Sequence, residues 1–210
     1  MEGNAPRDDD CFAFPIAINM AAAAASVRVL VVLLAVSAVS SLRRAAATMT
    51  VEAACQQHTK HPELCVKALS SANPEMKAAA LKGGLPGIAE LSLSLAAQCG
   101  AETVAFVKGL EKMPGGMPPE CLEECVGKFQ AAVADLKRSK AAVDQAKDES
   151  GVGAWLTAAK NDGETCMHDC HRIEGGAELQ IVDKVTDLTQ MCSIALSLTD
   201  ASIHNHTAAA

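Results

Sequence analysis

Two pairs of cysteines stand in matching frames along this chain, Cys121 with Cys125 and Cys166 with Cys170. A step of four residues is about one helical turn, so each pair occupies one face of its helix. If the two helices run antiparallel, advancing along one retreats along the other. Cys125 then faces Cys166, and Cys121 faces Cys170. The expectation is a double disulfide clamp between neighbouring helices, in a chain that folds in an oxidising compartment.

The N-terminal region agrees with export. Val29 to Val39 is an uncharged apolar run preceded by Arg28. Its length suits the hydrophobic region of a signal peptide and is short for a bilayer span. The segment ahead of it carries Glu2, Asp8, Asp9 and Asp10 where such a leader is basic. Translation from Met20 is therefore expected, with residues 1–47 read as extension and signal peptide and the mature chain beginning between Ser41 and Thr48. The mature protein is expected to be secreted and to have no membrane contact after cleavage. Asn205-His206-Thr207 is an acceptor for N-glycosylation, in keeping with that route.

Charge and composition narrow the class. The formal net charge is −7, which argues against nucleic acid as a partner, because phosphate binding needs a cationic footprint. The chain is rich in Ala, Leu, Lys, Glu and Gln. It has four Phe, one Trp and no Tyr, a poor mixture for strands, so an all-α fold is expected. Gly and Pro clusters mark corners at 82–87, 113–119, 149–153 and 173–176. Between them the apolar spacing is helical: Ile88, Leu91, Leu95, Cys99, Phe106 and Leu110; then Leu122, Cys125, Phe129, Val133, Leu136 and Val143; then Trp155, Leu156, Ala159 and Cys166; then Ile181, Val185, Leu188, Cys192, Ala195 and Leu198. Four long helices with short loops give an antiparallel up-down-up-down bundle at 83–202. A helical hairpin extension precedes it at 48–82, and a tail follows at 203–210.

The hairpin holds Cys55 and Cys65, and a bond between them would close it. Pro62 sits where a helix begins, and a short helix over Glu63 to Ser71 ends before Pro74. Cys99 and Cys192 fall on apolar faces of the first and fourth long helices, as buried free thiols or as a further bridge. No catalytic set emerges. His58, His61, His168 and His171 fall in loops or at helix ends, where a solvated imidazole is the simpler reading. Cys121, Cys125, Cys166, Cys170, His168 and His171 form an alternative zinc-binding set. Export disfavours it, because thiols there oxidise.

These residues resemble the plant invertase and pectin methylesterase inhibitor family. In the hairpin, Thr59, Pro62, Cys65 and Leu69 follow the family's pattern, while Cys55 comes one residue early, as if His58 were inserted. A second motif is matched by Leu122, Cys125, Phe129, Ala132, Val133 and Leu136. A third is matched by Trp155, Leu156, Ala158, Ala159, Thr165 and Cys166, and the closing helix by Leu188, Thr189, Ile194, Ala195 and Leu196. Departures are the additional Cys121 and Cys170 and a Phe129 where tyrosine is common.

The resemblance implies a four-helix bundle with an N-terminal hairpin, and pairing of Cys55 with Cys65 and Cys125 with Cys166. It implies an enzyme inhibitor without cofactor or metal, acting in the plant cell wall. The expected partner is a pectin methylesterase, with acid invertase as the alternative. Family members that block invertase carry Pro-Lys-Phe after the fourth cysteine of the family's set. Here the corresponding stretch is His171-Arg172-Ile173-Glu174-Gly175-Gly176.

Overall fold

The computed structural model describes residues 49–110, 118–145, 151–169 and 176–209, with the backbone alone for 167–169, 176–180 and 206–209. Among them it has seven helices and no strand: α1 (Val51–His58), α2 (Pro62–Ser71), α3 (Pro74–Lys82), α4 (Gly84–Leu110), α5 (Pro119–Asp144), α6 (Val152–Asp169) and α7 (Gly176–Ala209). No helix among the described residues is long and apolar enough to cross a membrane. The leader read at residues 1–47 lies outside the described residues.

Local chemistry sets the helix ends. The Thr50 hydroxyl accepts from the Ala53 N–H at 3.1 Å and opens α1. The Thr59 N–H and hydroxyl both donate to the Cys55 carbonyl and close it. Proline occupies the first turn of α2, α3 and α5, where its missing N–H has no helical partner to lose. The start of α3 also has a side-chain cap: Asn73 Oδ1 accepts from the Glu75 and Met76 N–H groups at 2.8 and 3.0 Å. Lys77 Nζ then donates to the Ser70 carbonyl and ties α3 to the end of α2.

The turn from α3 into α4 is built from glycine for two separate reasons. Gly84 has φ +63°, a left-handed conformation that disfavours any side chain. A β-carbon at Gly87 would lie 2.4 Å from the Ala80 carbonyl oxygen, so α3 and the first turn of α4 touch backbone to backbone. Because α3 covers α4 there, the first half of α4 is buried almost all round, including Leu85, Ile88, Ala89, Leu91, Leu93 and Leu95.

The four long helices enclose the core. α4 packs on α5 and α7, and α6 packs on the same two. Gly100 of α4 lies against Val133 of α5 and Leu188 of α7. Gly163 of α6 lies against Phe129, Val185 and Thr189, and Gly153 lies against Leu196 and Asp200. Facing numbers therefore fall along α7 as they rise along α6. The buried stripe of α5 is Leu122, Cys125, Phe129, Ala132, Leu136, Ser139 and Val143, in steps of three and four.

Small corrections to the sequence reading follow from this packing. Ala132 turns fully inward and Val133 is half-buried at the edge, while in α4 Thr103 and Val107 are buried and Phe106 is half-buried. Phe106 instead receives the ammonium of Lys184, 5.6 Å from its ring centroid. Residues 203–209, set apart in the sequence as a tail, continue α7.

Candidate functional site

Covalent bonds fix the relative positions of the surfaces this chain can present. Cys55 of α1 and Cys65 of α2 are joined, with 5.7 Å between their α-carbons. Both are fully buried, so the hairpin has a sulfur centre of its own. Cys125 in the second turn of α5 is joined to Cys166 near the end of α6, with α-carbons 4.8 Å apart. This bond sets the start of α5 beside the end of α6. Cys121 is also disulfide-bonded, and the partner expected for it, Cys170, lies outside the described residues. With Cys125 and Cys166 bonded to each other and Cys121 oxidised, the alternative zinc set loses the thiolates it would need. Among the described residues no group of three or more His, Cys, Asp or Glu is placed to hold a metal ion.

Cys99 and Cys192, which the sequence treats alike, are distinct. Cys192 is a free, buried thiol, whereas Cys99 is disulfide-bonded. They are therefore neither both free nor joined to each other. Helical periodicity gives both the same inward direction and carries no information on which sulfur is oxidised. Burial pushes the Cys192 thiol up to about 12, only partly opposed by the Lys160 ammonium. At pH 8 its thiolate fraction is then about a thousandfold below that of an exposed thiol. Alkylation of the native protein with iodoacetamide should leave Cys192 unlabelled, and the same treatment in denaturant should label it. Labelling at equal rates in both states would contradict the burial described here.

The exposed side of the α5–α6 pair brings charged and aromatic groups together. The Arg138 guanidinium lies 5.3 Å from the centre of the Trp155 ring and 3.5 Å from Asp135. The Arg138 side chain stays 58% exposed, so the stacked pair presents a cationic edge to solvent. About two turns further along α6 from Trp155, Asp162 sits near Lys128 and Asp135. Its carboxyl is raised above the usual range by burial first, with Lys128 lowering it and Asp135 raising it further. A carboxylate raised in the folded state opposes folding when ionised, and that opposition disappears as pH falls through its folded range. Lys160 and Glu164 add an exposed ion pair at 3.6 Å, worth little by itself.

Among the described residues no histidine joins a cluster of His, Cys, Asp or Glu that could hold a metal ion. His58 ends α1 and is half-buried, and His61 is exposed ahead of α2. His61 lines an open groove of about 630 Å³ with Glu63, Leu64, Lys67 and Gln190. His168 falls in α6, its side chain outside the described residues, and His171 lies outside them altogether. Asn205 is exposed near the end of α7.

Sequence reasoning missed α3 and the Arg138–Trp155 stack. The signal for α3 was present, since Asn73 followed by Pro74 is a capping residue followed by a first-turn proline. Arg138 with Trp155 had no such signal, because the contact joins two helices whose axial register the sequence leaves open.

Comparison with known proteins completes the picture. The family model described as "Plant invertase/pectin methylesterase inhibitor" matches residues 49–198. A crystal structure of mutant form A of a pectin methylesterase inhibitor from Arabidopsis is similar in fold, with a TM-score of 0.57 at 21% identity, covering 72% of this chain and 96% of that one. A second structure, of a pectin methylesterase inhibitor from Arabidopsis thaliana, gives a TM-score of 0.49 at 21% identity, covering 71% and 93%. A search of curated proteins gives no match.

Proposed function

Because the chain belongs to the plant invertase/pectin methylesterase inhibitor family, whose members are enzyme inhibitors rather than enzymes, we propose that it is exported to the cell wall and blocks a pectin methylesterase there. The observation that carries this reading is the match over residues 49–198, which spans α1 to α6 and most of α7. The physical form of the molecule supports it. We read the cross-helix contacts as an antiparallel up-down-up-down four-helix bundle with its hairpin docked on α4 and α7. Such a body, pinned between α5 and α6, loses little internal freedom when it docks, so that more of its contact energy appears as affinity. It acts as a non-covalent plug that keeps the polymer out of the enzyme's cleft, and no reaction is required of it.

The exposed α5–α6 face is the docking surface in this reading. Arginine and tryptophan are the side chains that most often dominate protein–protein binding energy, and Arg138 is held in place by Trp155 and Asp135. Titrating the oxidised protein from Thr48 onward into pectin methylesterase at mildly acidic pH should abolish activity near one equivalent and leave acid invertase unaffected. Arg138→Glu should weaken inhibition about tenfold or more, or ~1.4 kcal/mol, with an unchanged circular dichroism spectrum. Inhibition of invertase alone favours the second reading, in which the sequence His171 to Gly176 serves an invertase in place of Pro-Lys-Phe. Activity against neither enzyme overturns both.

A further inference from the structure

We propose that Asn205 carries an N-linked oligosaccharide on the far end of α7. This rests on the export part of the reading above and is independent of which enzyme is inhibited. The inward stripe of α7 passes through Val185, Leu188, Cys192, Leu198 and Ser202, all buried. One further step of three reaches Asn205, where the periodicity calls for another buried side chain. Instead Asn205 and its neighbour His204 are exposed.

The change comes where α6 no longer accompanies α7. α7 has 34 residues, against 27 in α4, 26 in α5 and 18 in α6. Gly153, at the start of α6, lies against Leu196 and Asp200. Asn205 stands more than a turn beyond that level, past the start of α6. It is about 30 Å along α7 from Val185, which faces Gly163 close to the Cys125–Cys166 bond. A large polar substituent there displaces no packed side chain and remains far from the sulfur clamp.

The chemistry also orders events. Asn205 and Thr207 are two residues apart, which in a helix places them on different faces. Transfer needs both in one extended segment, so it precedes closure of the last turns of α7. In that step Asn205 Nδ2 attacks the anomeric carbon of a lipid-pyrophosphate-linked oligosaccharide supplied by the export compartment. The new C–N bond replaces the C–O bond to pyrophosphate, the lipid pyrophosphate leaves, and one amide proton passes to the transferase base. The helix then forms, with His204 Nδ1 2.6 Å from the Asp200 carbonyl, and the sugar remains in solvent.

The full chain, expressed in plant cells, tests this by gel mobility and peptide mass before and after peptide-N-glycosidase A. The wild type and Thr207→Ser are expected to lose mass on digestion, with Asn205 converted to aspartate. Asn205→Gln and Thr207→Ala are expected to show no shift and to inhibit as the wild type does. A wild-type protein without glycan, whether in the medium or in the cells, overturns the proposal, as does a glycan that survives Thr207→Ala. An unglycosylated protein that still inhibits the methylesterase removes this inference and leaves the function standing.

Discussion

Replacing Cys121, Cys125, Cys166 and Cys170 together by alanine should lower stability by about 4 kcal/mol and the melting midpoint by roughly 8 to 16 °C. The magnitude follows from the loop that the Cys125–Cys166 bond closes, with a sequence separation of 41, whose closure entropy the unfolded chain regains when the bond is lost. The pairwise variants separate the two clamps. Cys125→Ala with Cys166→Ala should lose only a fraction of that amount, because a Cys121–Cys170 bond one turn away closes nearly the same loop. If the pairwise variant loses the full amount, then Cys121 is oxidised to a partner that does not restrain this end. Differential scanning calorimetry of the four-residue and two-residue variants, without reductant, makes the comparison.

Phe129→Ala should destabilise the protein by about 4 kcal/mol. Phe129 is the largest fully buried side chain among the described residues. It sits where α6 carries Gly163, whose β-carbon position lies 3.9 Å from the ring edge. The ring occupies the width that this glycine vacates. Truncation leaves a void the structure cannot easily close, because the Cys125–Cys166 bond one turn away holds α5 and α6 at a set separation. Phe129→Leu, which retains most of the volume, should cost roughly 1 to 2 kcal/mol. Guanidinium unfolding under oxidising conditions gives both values. An alanine variant no weaker than the leucine variant would mean that the site collapses and that the clamp does not hold the helices apart.

Much of the architecture was legible because its signals are periodic. Steps of three and four located the buried faces of α4 to α7, and paired cysteines one turn apart directed attention to the α5–α6 seam before any contact was known. What escaped depended on register between elements. Phe106 reads as a core residue from its spacing, yet α3 occupies only the first half of α4 and leaves Phe106 near the edge, beside Lys184. The Gly83-Gly84-Leu85-Pro86-Gly87 stretch reads as a break, but the chain re-enters a helix at Gly84 and uses Gly87 for a backbone contact inside that helix. Sequence shows that glycine is tolerated at a position, and the neighbour that excludes every other residue becomes visible only in three dimensions. The oxidation states of Cys99 and Cys192 escaped for a similar reason, since periodicity specifies direction and a bond requires proximity.

The burial of Cys192 also bears on the disulfides around it. A solvated thiol ionises in part near neutral pH, and its thiolate is the species that exchanges with disulfides. Once α7 docks, Cys192 is buried and its ionisation moves far above physiological pH. Packing of α7 thus removes that thiolate from solution. In the folded protein the one thiol known to be free among the described residues is thereby kept out of exchange with the bonds that hold the fold.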